Sequence, residues 1–180
     1  MIAAHGLEDV KLSQIARAAH CTTGAVTHYF ETKDDVLLAA LDHVCARLFD
    51  HAAEIGASDP VGQLTGFLPA DAETLADWKV WLAFWGRAAF VPRLAAVHRD
   101  YYRRIEGSLV SVLGPDTQDP QLTAAAIIAA IDGIGTRVCL EPELWPPERQ
   151  RALLARLLSP LLATVDLKGA VDAQLETLAA

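Results

Sequence analysis

Residues 22–35 read TTGAVTHYFETKDD, and this stretch decides the fold. Thr22 predicts the start of a short helix over Thr23–Tyr29, because its hydroxyl oxygen can accept a hydrogen bond from the first turn. Thr32 and Asp35 have the spacing of a capping box, with aspartate in the place of the usual Glu or Gln. The stretch therefore contains one short helix and the capped start of a longer one.

A further short helix comes directly before this stretch. Apolar residues recur at helical spacing over Leu12–Ala19, and His20–Thr22 leaves room only for a tight turn. Two short helices joined by a turn of three or four residues form a helix-turn-helix, whose second helix lies in the DNA major groove. Val26 and Phe30, four residues apart, would hold that helix against its neighbours.

The outward side of the second helix carries groups that suit DNA. Thr23, Thr27, His28 and Tyr29 can bond phosphates or base edges, since they are short or planar polar side chains. Gly24 would let the backbone approach the phosphates closely. Lys33 adds a positive charge at the first turn of the next helix, which is a position that favours phosphate.

These residues resemble the DNA-binding half of the TetR family of transcriptional regulators. The resemblance rests on Ile15-Ala16, on GAVTHYF at residues 24–30 and on Lys33, and it covers about residues 3–45. It implies an all-helical homodimer that represses transcription and is released from DNA by a small molecule. By position in the family, Thr23, Thr27 and His28 would face the bases, and phosphates would be held by Thr22, Tyr29, Lys33 and Lys11.

The chain departs from this family in two respects. The family begins with a full helix, whereas Met1–His5, stopped at Gly6, is much shorter than an average helix. Residues 1–50 also hold four Lys or Arg against seven Asp or Glu, a net charge of −3, which predicts weak DNA binding with a shallow salt dependence. The alternative is an N-terminally truncated small-molecule-binding dimer that no longer binds DNA.

The rest of the chain predicts an all-α fold. After a connector helix from Thr32 to about Ile55, the patterns predict helices from Ser58-Asp59-Pro60, over Asp71–Phe90, Arg93–Leu113 and Leu122–Leu140, and over Glu148–Leu158, which Pro160 should kink or end. The tail from Ala163 is helix-compatible. We expect a helix-turn-helix DNA-binding domain at residues 1–45, with its first helix largely missing, and a helical ligand-binding and dimerisation domain at residues 46–180.

An aromatic stripe in the second half has two readings. Trp78, Trp81 and Trp85 share one helix face, a pattern more typical of a core than of a pocket, although aromatic side chains with polar neighbours also line ligand cavities. His98, Tyr102 and Asp132 could supply the polar groups. Asp132 lies in a strongly apolar helix and needs a partner, which would be an arginine such as Arg137 or a cationic ligand.

This second half resembles the BetI-like subgroup of the same family. The resemblance rests on WLAFW at residues 81–85, on His98 with Tyr101-Tyr102, and on Ile131-Asp132-Gly133. It implies a quaternary ammonium effector held by cation–π contacts and a carboxylate. The predicted ligand-binding residues are Trp81, Trp85, His98, Tyr102 and Asp132.

The two last helices are the predicted dimer interface. The apolar surface of the helix Leu122–Leu140 and of the leucine stripe in Glu148–Leu158 is larger than packing against one neighbouring helix requires. Two such helices from each subunit would form a four-helix interface. A two-fold dimer would place its recognition helices one DNA turn apart, which predicts a near-palindromic operator.

Composition excludes several other classes of protein. The 180 residues are 52% hydrophobic with a net charge of −8, which argues against a general nucleic-acid coat protein. Cys21, Cys45 and Cys139 are too far apart for a metal or disulfide framework, and neither a nucleophile–base pair nor a phosphate loop is visible. We therefore expect no enzyme, cofactor or metal.

Without a signal peptide or an uncharged apolar run that could span a bilayer, we expect a cytoplasmic protein with no membrane partner. The arginines at 93, 99, 103 and 104 give one helix a basic face, to which the sequence assigns no function.

Overall fold

The computed structural model describes residues 1–54, 60–114 and 117–162 of the chain. Throughout these ranges the regular structure is helical, as the sequence predicts. The α-helices are α1 (Ile2–Asp9), α2 (Leu12–Ala18), α3 (Thr23–Tyr29), α4 (Lys33–Glu54), α5 (Pro60–Leu64), α6 (Ala72–Ala88), α7 (Pro92–Leu113), α8 (Pro120–Leu140) and α9 (Pro147–Leu162). Short 3₁₀ turns cover Thr65–Phe67 and Pro142–Leu144. The predicted tail from Ala163 and the Ser58-Asp59 helix start lie outside the described residues.

The predicted helix starts are confirmed by their caps. Thr22 Oγ1 accepts a hydrogen bond from the backbone N–H of Ala25 at 3.1 Å. At the start of α4, the N–H of Thr32 donates to Asp35 Oδ2 at 2.8 Å, and the N–H of Asp35 donates to Thr32 Oγ1 at 3.3 Å. These side chains satisfy backbone donors that have no partner within their own helix.

Two predicted helix ends differ from the structure. Gly6 has a φ of +73°, so the helical path breaks there as expected, but a further turn carries α1 on to Asp9. The last helix passes through Pro160 and continues to Leu162, so the proline does not end it. The proline removes only one backbone hydrogen bond, and Leu158 and Leu162 on either side of it are buried.

One hydrophobic core joins the N-terminal helices to the bundle. Ile2 and Leu7 of α1 and Leu37 and Leu41 of α4 are buried in the same cluster as Phe84 of α6. The helices α2 and α3 lie outside this cluster, and their own buried residues are Ala16 and Val26. The first turns of α4 are therefore fixed to the bundle, and α3 is carried on its outer side. The division of the chain after residue 45 stays a prediction.

A second core surrounds α8, which packs against α6, α7 and α9. By length and composition alone, Pro120–Leu140 would be able to cross a membrane, so the expectation that no segment could do so is wrong. Core helices of soluble proteins can have the same composition, and one face of α8, with Ala124, Ile127, Ile134 and Val138, is buried in the second core. Only a third of its most apolar window is buried within the subunit, which leaves apolar surface for another partner.

Candidate DNA interface and effector pocket

The outer face of α3 is exposed as the sequence predicts. Thr23, Gly24, Thr27 and His28 are exposed, and Tyr29 retains 78% of its accessible surface. Val26 points inward and is buried. The His28 and Tyr29 rings meet edge to face, with their centroids 5.2 Å apart. The helix thus offers a continuous polar and aromatic surface to a partner.

Gly24 has no structural reason to be glycine within the chain itself. Its φ is not positive, and an added Cβ would meet only Thr22 Oγ1, at an ordinary distance of 3.8 Å. A side chain is therefore tolerated here in the free protein. Close approach of an external partner, such as a DNA backbone, explains the glycine better than any internal contact.

Lys33 is already engaged within the protein. Its Nζ donates hydrogen bonds to the backbone oxygens of Leu7 at 3.2 Å and of Glu8 at 2.7 Å. These oxygens belong to the last turn of α1, where a positive charge is favourable. Lys33 therefore ties α1 to α4, a role that the sequence did not suggest, and it has one ammonium proton left for a phosphate. Lys11, by contrast, is exposed at the start of α2.

Two ion pairs connect the first turn of α4 to the corner between α6 and α7. Arg87 binds Asp34 through two hydrogen bonds of 3.0 Å, and Arg93 binds Asp35 at 2.5 Å. Arg93, together with hydrogen bonds from Thr32, lowers the pKa of Asp35 to about 2. Two of the acidic residues counted in the N-terminal region are thus neutralised by arginines of the bundle.

An open pocket of about 540 Å³ lies beside this corner, between α6, α7 and α8. Four of the five predicted ligand-binding residues meet there: Trp85, His98, Tyr102 and Asp132. The wall is completed by residues that the sequence reasoning missed, namely Ala88, Ala89, Ala95 and Arg99. The pocket therefore combines aromatic rings, small side chains and two opposite charges.

Asp132 is the buried acidic group of this pocket. Its Oδ2 accepts a hydrogen bond from the Tyr102 hydroxyl at 2.8 Å, and no basic side chain within the described ranges forms an ion pair with it. Arg137, the suggested partner, binds Glu141 at 2.8 Å, so that alternative is wrong. Burial raises the pKa of Asp132 from 3.8 to about 6, against the smaller opposing effect of the Tyr102 hydrogen bond.

The aromatic residues form two layers. Trp81 is buried in the first core and touches Trp85, Tyr101 and Tyr102 from behind, so it supports the pocket wall and does not line it. His98 lies in the wall and stacks on Tyr102 with ring centroids 4.2 Å apart. Burial and the neighbouring Arg99 lower the pKa of His98 below 6.5. Both effects favour the uncharged imidazole.

Periodicity could have revealed one of the missed residues. Ala95, Arg99 and Tyr102 are spaced i, i+4 and i+7, so they share one face of α7. The small residues Ala88 and Ala89 carry no such signal, because their role depends on the empty space beside them.

Both the N-terminal and the C-terminal parts of the chain match known families. Residues 1–40 match the description "Bacterial regulatory proteins, tetR family". Residues 62–163 match "BetI-type transcriptional repressor, C-terminal", which is more than half of the chain. The chain belongs to the TetR family. Its C-terminal domain is of the BetI type.

Curated relatives of this TetR-family chain are transcriptional regulators. It is 28% identical over 169 residues to the HTH-type transcriptional regulator BetI of Escherichia coli (strain K12), covering 88% of this chain and 87% of the relative. The BetI of Yersinia pestis (strain Pestoides F) is also 28% identical, over 83% of this chain and 79% of its own. These relatives imply that the chain is not an enzyme.

Solved structures of transcriptional regulators share the fold. A transcriptional regulator from Rhodococcus sp. Rha1 superposes with a TM-score of 0.80 at 30% identity, covering 92% of this chain and 91% of its own. A regulator from Saccharomonospora viridis, solved in complex with choline, has a TM-score of 0.72 at 24% identity and covers 88% and 89% of the two chains. The family match from residue 1 onward does not favour the alternative of a dimer that has lost DNA binding.

Proposed function

We propose that this TetR-family regulator is a homodimeric repressor that leaves its operator when a small organic cation enters the pocket between α6, α7 and α8. The observation that carries the proposal is Asp132, an acidic side chain in the pocket wall whose described partner is a neutral hydroxyl. A buried carboxylate is costly without a compensating charge. A cationic ligand would supply that charge.

The rings around Asp132 favour an alkylated ammonium. The faces of Trp85 and Tyr102 attract cations through their quadrupoles, and methyl groups on the cation suit the apolar wall of Ala88 and Ala89. The lowered pKa of His98 favours its neutral form, which does not repel a cation. The choline complex of the regulator from Saccharomonospora viridis supports this class of ligand. Trp81 would act indirectly, by holding Trp85 and Tyr102 in place.

The path from pocket to DNA passes through the α6–α7 corner. Ala88 and Ala89 line the pocket directly after Arg87, and Ala95 lines it two residues after Arg93. A ligand that displaces this wall would move both arginines, and with them the first turn of α4. That turn follows α3 by three residues, so the recognition helix would change its orientation. Binding of ligand and DNA would then be coupled because each favours a different orientation.

In the DNA-bound state, α3 would lie in the major groove. Thr23, Thr27 and His28 would face the bases, with Gly24 allowing close approach. Phosphates would be bound by Thr22, Tyr29 and Lys11, and by the remaining proton of Lys33. Because Arg87 and Arg93 neutralise Asp34 and Asp35, repulsion of DNA is smaller than the charge count of residues 1–50 suggests.

The dimer would form through the exposed apolar side of α8 and α9. Leu122 and Leu140 of α8 retain 67% and 66% of their accessible surface, and Leu157 and Leu161 of α9 are also exposed. Burying these side chains against a second copy would give a two-fold, four-helix interface and a near-palindromic operator. Such a regulator acts where its DNA is, in the cytoplasm.

The test is a fluorescence-anisotropy titration of the protein with DNA from immediately upstream of its own gene, with and without choline. Binding that exceeds binding to an unrelated duplex, and that choline weakens, supports the proposal. Asp132→Asn should abolish the response to choline while DNA binding persists. Asp100→Asn, which removes an exposed acid on α7, is the matched control and should respond normally. Operator binding that is unaffected by choline and by other alkylated ammonium ions would contradict the effector class.

A further inference from the structure

Arg99 is the arginine of α7 that forms no ion pair with a described residue. Arg93 binds Asp35, whereas Arg103 and Arg104 both bind Asp100 at 3.5 and 3.2 Å. In the described parts of the chain, Arg99 has no acidic partner, although it lines the pocket. Its charge acts on the pocket all the same, because it helps to lower the pKa of the neighbouring His98.

Arg99 and Asp132 face the same space without reaching each other. Arg99 comes from α7 and Asp132 from α8, and no ion pair joins them. Tyr102, which donates to Asp132, follows Arg99 by three residues, so their Cβ atoms are neighbours about 5–6 Å apart on the helix surface. The pocket wall thus holds a negative and a positive group that do not pair with each other.

We propose that the effector is a small zwitterion, with an alkylated ammonium at Asp132 and an anionic group at Arg99. This inference rests on the proposed function, because it assumes that Asp132 binds the cationic end. A ligand with both charges would compensate both unpaired groups at once. A simple cation would compensate the negative charge of Asp132. The positive charge of Arg99, which repels a cation, would stay uncompensated.

The choice of ligand therefore depends on Arg99. A guanidinium binds a carboxylate through charge-assisted hydrogen bonds, often two in parallel. At an exposed arginine, we expect such a contact to favour a zwitterion over the corresponding cation by up to about fivefold. Asp132 and the rings of Trp85 and Tyr102 would contribute equally to both ligands and set the class of the cationic end.

The experiment compares two probes that differ at one end only. Glycine betaine carries a carboxylate where choline carries a hydroxymethyl group, and both have the same trimethylammonium. Tryptophan fluorescence titrations would give the dissociation constant of each probe for the wild type, Arg99→Gln and Arg103→Gln. Phosphocholine serves as a further probe, to distinguish a carboxylate from a phosphate at the anionic end.

We expect the wild type to bind glycine betaine or phosphocholine up to about fivefold more tightly than choline. Arg99→Gln should remove this preference and leave choline binding unchanged or slightly stronger, whereas the control Arg103→Gln should retain it. Choline binding as tight as that of both zwitterions, with no selective effect of Arg99→Gln, would overturn this inference and leave the proposed function intact. Failure of all three probes to bind, or binding unaffected by Asp132→Asn, would overturn both.

Discussion

Replacing Gly135 by alanine should destabilise the protein, although alanine is the better helix former. Gly135 lies in α8, and a Cβ at this position would fall less than 3.0 Å from three ring atoms of Trp78. Trp78 is 4% exposed, and its indole N–H donates to the backbone oxygen of Phe67 at 2.9 Å. Because the ring is buried and held by that hydrogen bond, we expect that it cannot move aside without straining or breaking the bond.

The size of the effect follows from three contributions. Overpacking a core costs about 1–3 kcal/mol. Loss of the partner of the buried indole N–H costs about 1–3 kcal/mol more. The higher helix propensity of alanine returns about 1 kcal/mol. We therefore expect a net loss of about 3 kcal/mol in the free energy of unfolding, which lowers Tm by about 6–12 °C in a protein of this size.

The assay is chemical and thermal unfolding at one fixed protein concentration, since dimerisation would make Tm depend on concentration. Gly107→Ala is the matched control, because an added Cβ on this exposed position of α7 meets nothing within 4 Å. It should raise the free energy of unfolding by up to about 1 kcal/mol. A Gly135→Ala variant as stable as the wild type would refute the conclusion that Trp78 is fixed.

Three further predictions concern charged groups. Lys33→Gln should lower the free energy of unfolding by about 2 kcal/mol, since it removes two charge-assisted hydrogen bonds to α1. The control Lys79→Gln, on the exposed side of α6, should be neutral, and equal melting curves for the two variants would show that Lys33 does not hold α1 to α4. The folded protein favours the neutral form of Asp132, because the pKa of this group is raised from 3.8 to about 6. Its contribution to the free energy of unfolding is therefore complete below pH 3.8 and is lost as the pH rises through about 6. Between pH 4 and pH 7, Asp132→Asn should gain about 3 kcal/mol in the free energy of unfolding relative to the wild type, and parallel pH profiles of the two proteins would contradict the burial of this group. Arg87→Gln should leave the affinity for choline unchanged. The factor by which choline weakens DNA binding, measured by anisotropy, should fall by about threefold to tenfold. An unchanged factor would show that the coupling between ligand and DNA does not depend on the Arg87–Asp34 ion pair.

Local features of the fold could be predicted because they depend on neighbours in the sequence. The caps at Thr22 and Thr32 act over three residues, and the exposure of Thr27 opposite the buried Val26 follows from the helical period. The family resemblance then supplied the relation of these helices to one another, which no local pattern contains.

Long-range partners could not be predicted. Lys33 was expected at a phosphate, but its ammonium lies against carbonyl oxygens that are 25 and 26 residues away in the sequence. The excess of acids in residues 1–50 required cations from elsewhere, and only the structure identifies Arg87 and Arg93. For the pocket, the sequence suggested four residues of the wall, whereas Arg99 became informative only once its lack of an acidic partner was visible.

The side chain of Thr27 has a consequence for the operator. Its hydroxyl donates to the backbone oxygens of Thr23 and Gly24, at 3.1 and 3.2 Å, so the donor is used within α3. What such a threonine presents outward is a methyl group. In the major groove, the C5-methyl of thymine is the apolar group that distinguishes one base pair from the others. In the proposed complex, Thr27 would therefore recognise an A·T pair by contact between two methyl groups, and replacing that thymine with uracil would remove the contact while leaving every hydrogen bond of the base pair in place.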